Sequence, residues 1–196
     1  MQVLETVPAH RGRLPRLAGL GLALLAGACS PTLNRFERTL AANDSATAAL
    51  GQWCAARGMA APATIRAIAD RSASEAASAT TRAALGVSAD EPVAFRQVRL
   101  ACGSDVLSEA KNWYVPARLT PAMNAALLAS DTPFGTVVRP LGFRRERIES
   151  RRGRAAECPA GTVLSHRAVL RLADGRGISL VIECYTPANL RKAARR

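Results

Sequence analysis

The chain has 196 residues, of which 48% are hydrophobic and 21% charged, and this balance excludes a wholly disordered protein. The formal net charge is +12, and arginine carries nearly all of the positive charge, since Lys111 and Lys192 are the only lysines. A surface that binds nucleic acid by stacking would interleave aromatic residues among its arginines. The one dense arginine cluster, residues 144–154, contains none, so we interpret it as a charged, solvated edge strand and expect no nucleic-acid partner.

The first predicted element is a leader, residues 1–28. Its apolar run, Leu17–Ala28, follows three arginines and is shorter than the roughly 20 residues that a membrane-spanning helix needs. A basic start, a short apolar run and small residues at the end are typical of a secretory signal. Ala26-Gly27-Ala28-Cys29 resembles a bacterial lipobox, so we expect a lipoprotein on the periplasmic side of the membrane with Cys29 as its first mature, lipidated residue. A soluble periplasmic protein cut at the A-x-A motif is the second interpretation, and an N-terminal helix of a cytoplasmic protein, which Pro15 disfavours, is the third.

The body of the chain, residues 29–190, is long enough for one compact domain and begins with predicted helices. Apolar residues at helical spacing predict a helix over residues 32–42. Asp44 or Ser45 can cap a second helix that runs to about residue 57, where Gly58 stops it. The elements predicted next are a strand over 63–69, a loop or loose helix over 72–81 and a short helix over 81–85.

Beyond Glu91 the pattern changes to the alternation of apolar and polar residues that is typical of strands. These later strands are predicted at 93–102, 106–115, 143–151, 162–172 and 178–185. Between them, Thr120-Pro121 predicts a capped helix to Ala129, and residues 130–133 start a shorter one in the same way. The chain from Pro187 is expected to be frayed, with the domain ending near 190 and a basic tail at 191–196. Helices followed by hairpins predict an α+β fold, with an antiparallel sheet of about six strands and helices over one face.

The five cysteines separate into two groups. If Cys29 carries lipid, four are left, an even number that can form two disulfides in an oxidising compartment, with three connectivities open. These four candidate disulfide cysteines are Cys54, Cys102, Cys158 and Cys184. Because the sequence has no C-x-x-C pair and His166 is the only histidine after the leader, we expect no metal site.

Two charged residues fall on apolar faces of their predicted strands. Arg96 alternates in phase with Val98, and Glu183 alternates in phase with Val181. A buried guanidinium needs an anion, and a buried carboxylate needs a partner or a proton. Either the two residues pair with each other, or they grip opposite ends of a small polar aromatic ligand. His166 falls among apolar neighbours, and we interpret it as a core residue rather than a catalytic base.

Three stretches of the sequence, taken in order and spacing, resemble the chorismate pyruvate-lyase family. They are FRQVRLACGSDVLSEAKNWYVPARLT (95–120), DTPFG (131–135) and LVIECYTP (180–187). The similarity begins at AANDSATAALGQWC and runs to about Leu190, and LGVSADEPVAFRQVRL also resembles the opening of the UTRA ligand-binding domain, which shares the fold. The resemblance implies a chorismate lyase-like fold, with a ligand buried beneath helical flaps.

The resemblance also implies an activity that needs neither metal nor cofactor, the cleavage of chorismate to 4-hydroxybenzoate and pyruvate in ubiquinone biosynthesis. Carried over by position, Arg96 would bind the ring carboxylate together with the backbone N–H groups of Ala46 and Phe134. Glu183 would face the ring oxygen at the opposite end. Elimination of pyruvate creates an aromatic ring, so the protein would mainly hold the reactive conformer and stabilise charge. Ala46 is smaller and Phe134 larger than the residues of the lyase, which implies a pocket of different shape.

Three functions follow from these observations. The first is a lyase, because both Arg96 and Glu183 are retained. The second is a non-catalytic envelope lipoprotein that binds a small aromatic carboxylic acid, favoured by the leader because chorismate is made in the cytoplasm. The third is a structural envelope lipoprotein with a vacant pocket. The expected partners are a small aromatic carboxylate and, through the lipid on Cys29, a membrane.

Overall fold

The computed structural model describes residues 31–191, which form five α-helices, three short 3₁₀ helices and one six-stranded sheet. The helices are α1 (Pro31–Ala41), α2 (Ala46–Ala56), α3 (Ala79–Leu85), α4 (Pro121–Ala129) and α5 (Phe134–Val137). The strands are β1 (Ile65–Asp70), β2 (Ala94–Cys102), β3 (Asp105–Tyr114), β4 (Arg144–Arg152), β5 (Leu164–Arg171) and β6 (Gly177–Tyr185). The leader predicted at 1–28, Cys29 and the chain after Arg191 lie outside the described residues. Within 31–191, no helix combines the length and hydropathy needed to cross a membrane.

Local caps decide where the helices begin. Ser45 starts α2 by accepting a hydrogen bond from the backbone N–H of Ala48, and Thr120 caps α4 in the same way. Ser78 accepts from the backbone N–H of Thr81, so α3 begins two residues earlier than the helix predicted at 81–85. Gly86 ends α3 in the left-handed conformation, with φ of +65°.

The sheet has the strand order β1-β2-β3-β6-β5-β4, and every pair of neighbours is antiparallel. The last hairpin, β5–β6, folds back so that β6 lies beside β3, and all nine residues of β6 are buried. The predicted α+β fold with an antiparallel sheet of about six strands is confirmed. The register brings Val98, Ala110, Glu183 and His166 into one row across four strands.

Helices cover the two faces of the sheet unequally. Helices α1, α2, α4 and α5 cover the face of Glu183, which we call the helical face; Phe36 of α1 and Trp53 of α2, for example, pack with Tyr185. Helix α3 covers the opposite face, where Leu85 packs with other apolar side chains. Four of the five α-helices thus lie over one face of the sheet.

Two disulfides connect the helices and loops to the sheet. Cys54 of α2 is bonded to Cys102 at the end of β2, with Cα atoms 6.3 Å apart. Cys158, in the segment between β4 and β5, is bonded to Cys184 of β6, with Cα atoms 5.5 Å apart. The structure thus has one of the three connectivities that the cysteine count leaves open.

The end of the domain differs from the prediction that the chain frays from Pro187. Residues Pro187–Leu190 form a 3₁₀ helix, and Asn189 is fully buried. The Asn189 side chain donates to the carbonyls of Leu107 (2.7 Å) and Thr186 (3.0 Å). The backbone carbonyl of Asn189 accepts a hydrogen bond from the Trp53 indole at 3.2 Å. The prediction of fraying is therefore wrong up to Leu190, because an asparagine mid-tail gives no local sign of such distant partners.

Candidate functional site

A small cavity lies between the helical face of the sheet and the N-terminal ends of α2 and α5. Its apolar walls come from Val98, Leu100, Ala110, Leu170, Val181, Ala46, Phe134 and Phe143. The cavity measures about 50 Å³. An enclosed apolar cavity of roughly 150 Å³ accepts benzene. The cavity beneath the roof formed by α2 and α5 is therefore smaller than a cavity that holds a benzene ring.

The roof closes where α5 approaches α2. A Cβ atom on Gly135 would lie 2.6 Å from the Ser45 hydroxyl oxygen and 3.1 Å from that of Thr47, so a side chain fits here only if the Ser45 hydroxyl moves. These three residues, which we call the α2–α5 seam, line the inner cavity on one side. They also line an open cleft of about 420 Å³ on the other side. The seam thus separates the inner cavity from the outer cleft.

Arg96 lies beside this cavity rather than in its lining. Its side chain donates to the carbonyls of Ser130 (3.2 Å) and Thr132 (3.3 Å), the segment that leads into α5. The residue is only 8% exposed, and burial lowers the pKa of its guanidinium. None of the described carboxylates forms an ion pair with Arg96. Two of its five N–H donors are used, so the group retains capacity for an anion.

Glu183 lines the cavity and pairs with Arg145, not with Arg96 as one interpretation of the sequence had it. Arg145 reaches Glu183 Oε1 at 3.3 Å and also bonds Oε2. The Tyr185 hydroxyl donates to Oε2 at 2.8 Å. Burial and the nearby carboxylate raise the pKa of Tyr185. Burial lowers the pKa of Arg145, but Glu183, Tyr185 and Asp44 together outweigh it, so the pKa is raised. The carboxylate therefore accepts three hydrogen bonds inside the protein.

Ala46 and Phe134 are the first residues of α2 and α5, and both line the cavity. The first N–H groups of a helix have no acceptor within the helix, so the N–H of Ala46 lacks one there. The structure thus brings Ala46, Phe134 and Glu183 to one cavity. It places Arg96 behind the 130–132 segment, with Glu183 two strands away on the same face.

Sequence reasoning missed two polar residues of the site. Arg145 belongs to the cluster that was interpreted as solvated, and β4 is indeed an exposed edge strand, yet the Arg145 side chain is only 6% exposed. Its alternation with the buried Phe143 was the available signal. Asn112 lines the cavity and accepts a hydrogen bond from the Ser179 hydroxyl. Its alternation with Ala110 on β3 carried a similar signal.

Solved structures show which fold this is. The effector domain of PhnF from Mycobacterium smegmatis aligns with a TM-score of 0.53 and 17% identity over 73% of this chain and 88% of that chain. The structure of PhnF from the same organism aligns with a TM-score of 0.54 and 16% identity over 78% of this chain and 68% of that chain. The possible transcriptional regulator YydK from Bacillus subtilis aligns with a TM-score of 0.48 and 12% identity over 67% of this chain and 61% of YydK. This chain thus spans less than two thirds of that regulator. The PhnF alignments establish the fold, which is the chorismate lyase-like fold of UTRA domains.

Sequence comparison identifies a relative that is more similar in sequence to this chain than the solved structures above. No family model matches the chain. The protein y4mC of Sinorhizobium fredii (strain NBRC 101917 / NGR234), which is described as uncharacterized, is 39% identical over 173 residues. That alignment covers 79% of this chain and 73% of y4mC. With such identity over most of both proteins, the chain belongs to the same family as y4mC.

Proposed function

We propose that this domain binds a small aromatic carboxylate beneath the α2–α5 seam and does not transform it. The observation that carries the proposal is Arg96, a buried guanidinium with no carboxylate partner among the described residues, beside an apolar cavity. A buried cation is stabilised by an anion, and apolar walls suit a ring. The description of the PhnF structure as an effector domain supports a binding role for the shared fold.

Binding requires the roof to move. Arg96 donates to the carbonyls of Ser130 and Thr132, which belong to the segment that leads into α5. A shift of this segment opens a path from the cavity to the guanidinium. The ligand carboxylate then takes N–H donors of Arg96 and of Ala46 at the start of α2. The aromatic ring occupies the space between Phe134 and the sheet.

Chorismate cleavage is the second candidate function. Arg96 and Glu183 lie on the same face of the sheet, two strands apart, and both would be used in a lyase. The environment of Glu183 favours binding over cleavage, because Arg145 and Tyr185 already satisfy its carboxylate. A group held in this way is less available to a reacting ring oxygen.

One experiment separates the two functions. Purified protein is titrated with 4-hydroxybenzoate by calorimetry, and separately mixed with chorismate while 4-hydroxybenzoate is followed by absorbance. Saturable binding that Arg96→Met abolishes, without turnover, supports the binder. Arg99→Met is the matched control, since Arg99 is an exposed arginine on the same strand. Turnover would establish the lyase instead. The absence of both turnover and binding would contradict both functions.

We also propose that the domain is exported and anchored by lipid at Cys29. Two disulfides within one small domain support an oxidising compartment. Cys29→Ala is expected to move the protein from the membrane fraction to the soluble fraction of cells. If wild-type protein is already soluble and keeps residues 1–28, the export proposal is wrong.

A further inference from the structure

A second cavity, of about 470 Å³, lies between α1 and the β4–β5 pair and is widely open to solvent. Its polar lining comes from Asn34, Glu37, Arg38, Arg147, Ser150, Arg152 and His166, and we call it the α1–β4 cavity. It shares no lining residue with the cavity at Glu183. The inference drawn from it does not depend on the function proposed above.

His166 forms the floor of the α1–β4 cavity. The residue is 3% exposed, and its ring packs edge-on against Tyr185 with centroids 5.2 Å apart. Nδ1 is buried and has no hydrogen-bond partner among the described residues. Nε2 also lacks a partner there but is not sealed from solvent, so Nε2 is the ring atom that faces the cavity. Nε2 therefore has its hydrogen-bonding capacity available to a group that enters the cavity.

The cavity carries uncompensated positive charge. Arg152 donates to Glu37 at 2.8 and 2.6 Å, so the one carboxylate in the lining is already neutralised. Arg38 of α1 and Arg147 of β4 form no ion pair and no side-chain hydrogen bond within residues 31–191. Two guanidinium groups on different elements therefore face the same space as the His166 imidazole.

We propose that the α1–β4 cavity binds a phosphate group through Arg38, Arg147 and the Nε2 atom of His166. The planar fork of arginine matches the oxygen atoms of phosphate, and the Ser150 hydroxyl adds a further donor. Donors converge from three elements, α1, β4 and β5, which suits a tetrahedral anion with several acceptor oxygens better than a two-oxygen carboxylate.

The surroundings of His166 are compatible with this role. The charged groups that face it are Glu183 of β6, Arg145 and Arg147 of β4, and Glu37 of α1. Burial lowers the pKa of His166 to about 4, so the imidazole is neutral at pH 7. A neutral ring with its proton on Nε2 donates one hydrogen bond to a phosphate oxygen and adds no further charge to the cavity.

The test follows the imidazole of His166 directly by ¹⁵N NMR of the full chain, which has only two histidines, His10 and His166. The variant His166→Gln assigns the two resonances. Titration with inorganic phosphate at pH 7 is expected to shift the His166 Nε2 resonance saturably. Arg147→Gln should raise the dissociation constant for phosphate about tenfold, because it removes a charge-assisted hydrogen bond. Arg151→Gln, on the same strand but outside the cavity lining, should leave it within about twofold.

A second arm identifies the source of the phosphate. If phosphatidylglycerol vesicles shift the His166 resonance where inorganic phosphate does not, and Arg147→Gln abolishes the shift, the ligand is a lipid headgroup. A shift with inorganic phosphate supports a free phosphorylated ligand. No shift with either probe, or equal weakening in Arg147→Gln and Arg151→Gln, would overturn the proposal.

Discussion

Arg145 and Glu183 form an ion pair in which each side chain is only 6% exposed, although Arg145 belongs to an otherwise solvent-exposed edge strand. Removing one partner of a buried pair leaves the other charge without compensation. We expect Arg145→Met to lower the free energy of unfolding by about 3–5 kcal/mol, measured by urea denaturation. The double variant Arg145→Met/Glu183→Gln should regain part of that loss, because no lone buried charge remains.

Arg167→Met is the matched control for this prediction. Arg167 pairs with Glu157, and their side chains are 25% and 37% exposed. Exposed ion pairs contribute about 0–1 kcal/mol, so this variant should unfold close to the wild type. Equal losses in Arg145→Met and Arg167→Met would show that burial of the Arg145–Glu183 pair does not matter.

Local signals in the sequence were enough to predict most of the fold. Apolar patterns and turn residues located each of the six strands to within about three residues, and the caps Ser45 and Thr120 located α2 and α4. These signals are local, since periodicity and capping depend on neighbours along the chain. The fold follows from them because hairpin turns between consecutive strands predict antiparallel pairing.

The partners of the charged residues could not be predicted in this way. Alternation places Glu183 on the helical face, but its partner depends on the strand order β6-β5-β4, which is not a local property. Arg145 lies in a strand with charges on both faces, so its alternation with Phe143 is a weak sign of its inward direction. Arg96 was predicted to face an anion, and its backbone partners, Ser130 and Thr132, come from a loop packed over the sheet.

The α2–α5 seam leads to a prediction about Gly135. A methyl group here would lie 2.6 Å from the Ser45 hydroxyl oxygen, and moving that hydroxyl breaks the cap on Ala48. We expect Gly135→Ala to lower the free energy of unfolding by about 1–2 kcal/mol and to change the affinity for 4-hydroxybenzoate. Thermal unfolding and calorimetry measure the two effects.

The control for Gly135→Ala is Gly51→Ala. Gly51 lies inside α2, and a Cβ there would meet nothing closer than Ile65 at 3.9 Å. Alanine in a helix interior is favoured over glycine by about 0.5–1 kcal/mol, so this variant should be more stable than the wild type. A Gly135→Ala protein that gains stability as Gly51→Ala does would refute a tight seam.

Because the imidazole of His166 is buried, we expect the folded protein to lose stability in mild acid. Burial lowers its pKa in the folded protein from 6.5 to about 4. Between these values the unfolded chain binds a proton that the folded protein does not, so stability falls as the pH drops from 6.5 and the loss is complete below about 4. The contribution is about 3 kcal/mol in all. We expect His166→Gln to flatten this part of the plot of unfolding free energy against pH, measured by urea denaturation. An unchanged slope would show that His166 is not the source of the loss.

The two disulfides are expected to stabilise the domain through the loops that they close. The sequence separation is 48 residues for Cys54–Cys102 and 26 for Cys158–Cys184. A cross-link restricts the unfolded chain more when its loop is longer, which corresponds to about 4 and 3.5 kcal/mol respectively. We therefore expect Cys54→Ala/Cys102→Ala to lower the free energy of unfolding at least as much as Cys158→Ala/Cys184→Ala does. Non-reducing peptide mapping tests the pairing itself, since a peptide that joins Cys54 to Cys158 or Cys184 would exclude the connectivity in the structure.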